Sequence, residues 1–473
     1  MQRATGHRTA LYAAFFFAGL LLALEGAAAP AAQADITAIT GATLIDGRDV
    51  PLRTGVTIVI ASGRIKTIGA DGRTDIPRGA RVMNVRGMYV LPGFIDMHYH
   101  VTTGAMRYRR NPAGRLDSMY DRRLARRLLA VALAKGITTI RDPGASPRKH
   151  AVALRDSVRG GEVTGPRMLV AGDILSRSRM TDAEIRDSIK AQARDRVDYI
   201  KIYAGFSPHQ VATAAREAHR HGLGLIGHLQ RTSWTDAAVA GIDFITHGGN
   251  WHGSYVLPAR QAAYDSMPGD MRTRSFWLQW LDVDGPAVDS MIRTLAAKRI
   301  PVDPTLVAYH TKFWWRDSLY QRDPDSALVP EVLRNWRVLG MHTASWSKED
   351  FDRAQSGWPR QLALIRRMFA GGVLLTVGSD VASPWVIPGT AFHQELALLK
   401  SAGLTPRQVL TMATWNGARA LGISDSVGTL APGYVADLVI LAANPLADIN
   451  NSRSVRYVIR RGRVLEPRTL LAR

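Results

Sequence analysis

Four histidines, one lysine and one aspartate stand at or near the ends of short apolar runs, and together they point to metal-centred chemistry. The run Leu91-Pro92-Gly93-Phe94-Ile95-Asp96-Met97-His98-Tyr99-His100 ends in two histidines separated by one residue. Residues i and i+2 of a strand share a face, so a strand ending this way aims both imidazoles at one point. Further along, Tyr199-Ile200-Lys201-Ile202-Tyr203 carries a lysine inside a β-branched run. Leu223 to His228 and Asp243 to His247 each end in histidine, and Val373 to Asp380 ends in aspartate. Taken singly, each has a plain structural reading: a buried lysine snorkels, a strand-end histidine packs, and Ser379-Asp380 caps a helix. The ordered set is a stronger signal, because the C-terminal ends of parallel strands in a (β/α) barrel form a single face. His98, His100 and Asp380 can hold one divalent ion and His228 with His247 a second, with a bridging carboxylate stabilising the pair. Lys201 as an ammonium has no lone pair and cannot ligate unmodified.

The elements needed to position these residues are legible around them. Helical patterns over Arg122 to Lys135, Thr181 to Arg194, His209 to His221, Pro359 to Ala370 and Thr405 to Ala420 separate the strands. Such alternation implies βαβ units and parallel strands. The segment Ile36 to Tyr89 instead alternates short β-branched strands with turns such as Asp46-Gly47, Ser62-Gly63 and Asp71-Gly72. The segment from Gly428 onward does the same, with strands over Val435 to Leu441 and Val455 to Arg460 and a turn at Arg461-Gly462-Arg463. Neither closes a core alone, so the two are expected to combine. The resulting expectation is an α/β chain: a distorted (β/α)8 TIM barrel over 93–427 and a small composite β-sandwich built from 35–92 and 428–473. Insertions over about 248–300 and 308–358 carry Trp251, Trp277, Trp280, Trp314, Trp315, Trp336, Trp346 and Trp358. Long loops on the catalytic side of a barrel commonly serve as lids or substrate contacts, so one or two of these tryptophans are expected at the pocket.

Composition agrees with an enzyme of this size: 473 residues with 46% hydrophobic content are enough for one large core. Arg3, His7 and Arg8, the apolar run from Ala10 to Leu24 and the small residues up to Ala34 read as a secretory signal over 1–34, cut after Ala32-Gln33-Ala34. Periplasmic or secreted placement follows, with no membrane span left after cleavage; a single anchor is the competing reading, against which the apolar run is short. The absence of cysteine excludes disulfides, thiolate ligands and a thiol nucleophile. The net charge of +21 comes largely from scattered arginines without a nucleic-acid-binding motif, so no nucleic acid partner is expected. The cluster Arg107, Arg109, Arg110, Arg115, Arg122, Arg123, Arg126 and Arg127 either approaches the site mouth, favouring carboxylate-bearing substrates, or is a solvated face. Self-association into a homo-oligomer is left open.

Over nearly all of the chain beyond the signal, the sequence resembles the amidohydrolase superfamily, nearest its imidazolonepropionase-like branch with Xaa-Pro dipeptidases. The resemblance rests on Pro92 to Asp96 before His98 and His100, Gly136 to Asp142, Ile200-Lys201, Gly227-His228, Thr246-His247 and Pro304-Thr305-Leu306. Gly378-Ser379-Asp380, Ala413 to Ala418 and Gly428 to Val439 complete it. It implies two divalent metal ions, zinc by ligand type, bridged by a carbamate formed from carbon dioxide on Lys201. Carbamate formation needs a desolvated lysine, which Ile200, Ile202 and Tyr203 would provide. A single ion held by His98, His100, Asp380 and one further histidine is the alternative. With metals bound, a bridging water would be acidified and the scissile carbonyl polarised, while Asp380 acts as general base and then general acid.

The expected substrate is a small molecule with a peptide-like amide, such as an Xaa-Pro dipeptide. Its carboxylate could pair with Arg231, while Tyr203, Tyr309 and His310 are further candidate contacts. The same centre acting on a lactone, cyclic amide or organophosphate ester is a second reading, and a binding protein on the same scaffold a third. Tyr99 between the two histidines and Ser379 before the aspartate depart from the residues common in the family. Tyr99 should point outward and leave the ligands undisturbed.

Overall fold

A computed structural model describes residues 36–48, 50–248, 252–268, 275–341 and 343–472. The expected signal segment 1–34 lies outside the described residues, as does Trp251. No helix among the described residues is long and apolar enough to cross a membrane.

Seven short parallel strands and one extended segment close into a ring. Phe94–Asp96 pairs with Ile137–Asp142, which pairs with Arg167–Val170; Tyr199–Ile202, Gly224–Gly227, Phe244–Thr246 and Val302–Asp303 follow in order. A parallel bridge between Ala171 and Tyr199 joins the two groups. The eighth position is the apolar run 373–377. It is tied to Val302 by Val302 N to Leu374 O and Thr376 N to Val302 O, both 3.0 Å, and to the first strand by Met97 N to Val377 O at 2.8 Å. This run lacks a regular ladder, unlike the strand expected there. All four residues of Tyr199–Ile202 are buried, as expected of a strand covered on both faces. Gly93 precedes the first strand because a Cβ there would lie 2.1 Å from Thr138 Oγ1.

Sequence-local signals start the surrounding helices. Asp121 accepts from Arg123 N and Leu124 N at the head of Arg122–Ala134, and capping boxes Thr181/Glu184 and Ser207/Gln210 open Asp182–Arg194 and Pro208–Arg220. The helix expected from Thr405 to Ala420 is broken by a π-turn at Met412–Asn416. Part of the first expected insertion is an ordinary barrel helix, Pro286–Lys298, between its two strands. The second folds as short helices: Leu306–Trp314, Ser318–Gln321, Pro330–Leu339 and Lys348–Ser356.

N- and C-terminal strands share one eight-stranded sheet, in which Tyr89–Pro92 lies between Thr37–Leu44 and Leu438–Leu441. Laid flat, Arg64–Ala70 and Val455–Arg460 would be about 24 Å apart at ~4.8 Å per strand. Yet Ile65 and Ile459 share one apolar cluster with Ile39, Ile58 and Ile440, and Ala436 N bonds Gly63 O at 2.9 Å. The sheet therefore folds over its own core, as a sandwich does. Arg461 and Gly462, both at positive φ, make the tight turn into Arg463–Leu465.

Candidate metal centre

Buried polar contacts hold the His-x-His strand end in place. Asp96, fully buried, accepts from His98 N and Ser379 N at 3.0 Å each and from Ser379 Oγ at 2.5 Å, fastening the first strand to the segment that carries Asp380. Asp380 N in turn donates to His98 O at 2.7 Å, and Asp380 sits at φ +57, a left-handed conformation that Asp tolerates better than most residues. Tyr99 points outward as expected, its hydroxyl donating to Leu128 O on the helix Arg122–Ala134 at 3.1 Å.

Three of the candidate ligand histidines, His98, His100 and His247, are oriented through Nδ1. His98 Nδ1 lies 2.7 Å from Asp303 Oδ2, and Asp303 Oδ1 receives Arg141 Nη2 at 2.7 Å. His100 Nδ1 donates to Gly144 O at 3.1 Å. Both Nε2 atoms then face Asp380 Oδ1, at 3.3 Å from His98 and 3.5 Å from His100. Ligand atoms of the three residues lie within 4.8 Å of one another. Two atoms bound tetrahedrally at about 2.1 Å from one ion are about 3.4 Å apart, so this donor set fits a divalent metal. His247 and His228 adjoin it: the ring centroids are 4.8 Å from His98 to His247 and 4.3 Å from His247 to His228. His247 Nδ1 meets Thr305 Oγ1 at 2.8 Å, leaving Nε2 for a ligand. Lys201 is buried and donates to Thr246 Oγ1 at 3.0 Å.

The electrostatics follow from burial and from these neighbours. Burial lowers Lys201 to about 7, His228 to about 3 and His98 and His247 well below the usual imidazole value, which favours the neutral rings that ligation requires. Burial also works to raise Asp380, but His98, His100 and Lys312 outweigh it and hold the carboxyl well below the ordinary carboxylate range. Burial pushes Asp303 up to about 7, opposed chiefly by Arg141.

The other expected site residues are placed unequally. Tyr203 is partly exposed with its ring 4.2 Å from His228, and buried Tyr309 lies 6.2 Å from His247. His310 turns away: its Nδ1 is 2.6 Å from Tyr320 Oη and its ring stacks on Trp314 at 4.2 Å. Arg231 is exposed, and its described bond is from its backbone to Ala204 O. Four arginines of the cluster, Arg107, Arg123, Arg126 and Arg127, line a separate cavity of about 860 Å³ together with Leu328, Pro330 and Leu470. Of the tryptophans, Trp336 reaches the loop after Asp380, donating to Ala382 O at 3.3 Å, and packs at a tilt against Trp385 with ring centroids 5.9 Å apart.

Sequence reasoning missed Asp303, Arg141 and Lys312. Lys312 stands on the helix Leu306–Trp314 with Nζ 4.9 Å from the Tyr309 ring centroid, and its charge is felt by Asp380, His228 and His247. Asp303 follows the apolar run Ile300 to Val302, the same pattern that marked the ligands. Asp303→Asn is expected to weaken metal affinity by about 10- to 100-fold through loss of His98 orientation. Chelator competition measures this, and an unchanged affinity would refute the assignment.

The sequence pattern of the amidohydrolase family matches residues 89–465. The chain belongs to the amidohydrolase family. An imidazolonepropionase of Cutibacterium acnes is 41% identical over 83 residues, 16% of this chain and 19% of that protein. A 5-methylthioadenosine/S-adenosylhomocysteine deaminase of Moorella thermoacetica is 37% identical over 87 residues, 17% of this chain and 20% of that protein. The chain thus spans about a fifth of the length of these curated relatives. Solved structures share the fold over far more of the chain. A Xaa-Pro dipeptidase with methionine bound in its active site superposes with TM-score 0.65 at 21% identity, covering 91% of this chain and 100% of that one. A prolidase complexed with N-methylphosphonate-L-proline gives TM-score 0.65 at 20% identity, over 91% of this chain and 99% of that one.

Proposed function

We propose that this amidohydrolase is a binuclear metal-dependent hydrolase of peptide-like amides, with dipeptides ending in proline or another residue as its substrates. The carrying observation is the convergence of His98 Nε2 and His100 Nε2 on Asp380 Oδ1, with the rings of His247 and His228 packed alongside. Divalent metals, zinc by ligand type, would supply a Lewis acid for the scissile carbonyl and acidify the attacking water. Asp380, ionised and with Oδ2 held by Ser383 Oγ at 2.9 Å, takes the proton of the attacking water and returns it to the leaving amine. Lys201 would be carboxylated: it is buried, bonds a neutral hydroxyl and makes no ion pair among the described residues, an unfavourable setting for an ammonium.

The substrate carboxylate would meet Lys312 rather than Arg231, since Lys312 stands on the Tyr309 face of its helix and Arg231 is exposed. Lys312→Met is expected to raise KM for dipeptides by about 10- to 100-fold, the worth of a charge-assisted hydrogen bond. C-terminally amidated analogues should be unaffected, and an equal loss on both would contradict this role. The overall reading is tested by turnover of a dipeptide panel beside cyclic amides, lactones and phosphotriesters. Hydrolysis of dipeptides supports it, whereas hydrolysis confined to the other classes overturns the substrate assignment. The basic and apolar character of residues 3–24 supports export to the periplasm or beyond. N-terminal sequencing should then read a start at Asp35; an uncut start in the cytosol would refute it.

A further inference from the structure

A second polar cavity, of about 270 Å³, lies where the barrel meets the folded sheet. It opens at the strand starts: Arg167 begins Arg167–Val170 and Asp198 immediately precedes Tyr199–Ile202, so the metal centre lies at the opposite ends of these strands. Five arginines line it, Arg155, Arg159, Arg167, Arg460 and Arg461, with Asp198 as the lining acid. The nearby carboxylates are already engaged. Asp198 Oδ2 accepts Arg155 Nη1 and Val170 N, both at 2.8 Å. Asp437 accepts Arg460 Nη1 at 3.0 and 3.1 Å and Arg461 N at 2.7 Å.

Arg167 is left with Asp437 Oδ2 at 3.9 Å, beyond hydrogen-bond range. The Nε atoms of Arg167 and Arg460 are both buried without a hydrogen-bond partner, and the Arg460 side chain is only 10% exposed. Burial chiefly disfavours the Arg167 cation, with Asp437 opposing and Arg460, Arg461 and Arg64 adding to it; five lining arginines against one lining acid leave positive charge in excess around the cavity. Buried guanidinium donors that lack partners are costly unless something accepts from them.

We propose that this cavity is a binding site for a tetrahedral oxyanion of the phosphate class, clasped by Arg167 and Arg460 from the two sides of the seam and closed by Arg461. Guanidinium forks match phosphate oxygens in pairs, and the five arginines around this one cavity outnumber the acid that lines it. Its effect would be to clamp the sheet to the bottom of the barrel, away from the chemistry.

Equilibrium dialysis of the metal-stripped full chain with labelled inorganic phosphate in ~0.15 M chloride tests this. The expected result is saturable binding of about one phosphate per chain, competed by sulfate more strongly than by acetate, as paired guanidinium recognition requires. R167Q and R461Q should each weaken binding by about tenfold or more, whereas H98A should retain it. Arg461 is exposed, so R461Q keeps the test decisive should R167Q not fold. Absence of saturable binding, binding unchanged in R461Q, or binding lost in H98A would overturn the proposal. Acetate competing as well as sulfate would overturn the oxyanion class.

Discussion

Asp380→Asn is expected to lower turnover by about three to four orders of magnitude while leaving the fold intact. General acid/base catalysis by one positioned group is worth about 10²- to 10⁴-fold, and Asp380 is also a ligand candidate, so both contributions fall together. The fold should survive because asparagine is isosteric, tolerates the left-handed φ of +57 and leaves the bond from the residue 380 backbone to His98 O in place. The measurement is kcat beside metal content and circular dichroism. Activity within about tenfold of wild type would remove Asp380 from proton transfer and revive the reading of a non-catalytic binding protein.

Lys201→Met should abolish the second metal and reduce activity by at least about a hundredfold, with no loss of thermal stability. A buried ammonium without a close carboxylate opposes folding, and methionine fills a similar volume without that penalty. The loss would come from the missing carbamate. Accordingly, wild-type protein reconstituted with zinc in carbon-dioxide-free buffer should be poorly active and recover on addition of bicarbonate. A variant that keeps full activity, or a wild type indifferent to bicarbonate, would contradict a carbamate bridge and favour a single ion held by His98, His100 and Asp380.

How legible these features were in the sequence depends on the range of the interactions that make them. His98 and His100 could be read because the period of a strand is two residues, and Lys201, His228 and His247 because each stands at or near the end of a short apolar run. The run before Asp380 was legible as apolar but not as irregular, since its partners Val302 and Met97 are fixed only when the ring closes. Asp303 and Arg141 escaped notice for the same reason: their pairing with each other and with Met97 O and His98 requires the finished barrel.

The expected substrate contacts show how helical phase decides what sequence adjacency cannot. Tyr309 and His310 are neighbours in sequence, yet successive helix residues diverge by about 100°. Tyr309 therefore borders His247 while His310 packs among Tyr320, Trp314 and Trp358. Lys312, three residues after Tyr309, returns to the same face. That phase is set by where the helix begins, and Glu395 fixes it by accepting from Leu306 N at 2.9 Å and Val307 N at 2.7 Å, a contact no local pattern announces. The eight arginines after His100 were open to two readings, the site mouth or a solvated face, and the second fits: seven of them are exposed, and four line a different cavity.

The proposed hydrolysis depends on a two-metal centre built from His98, His100, His228, His247, Asp380 and a modified Lys201. Metal content of the purified full chain after reconstitution with zinc and bicarbonate tests it most directly. Elemental analysis should find about two zinc ions per chain, as a binuclear site requires. A single tightly held ion would contradict the bridged pair, and a folded chain that retains no metal would contradict the hydrolase itself.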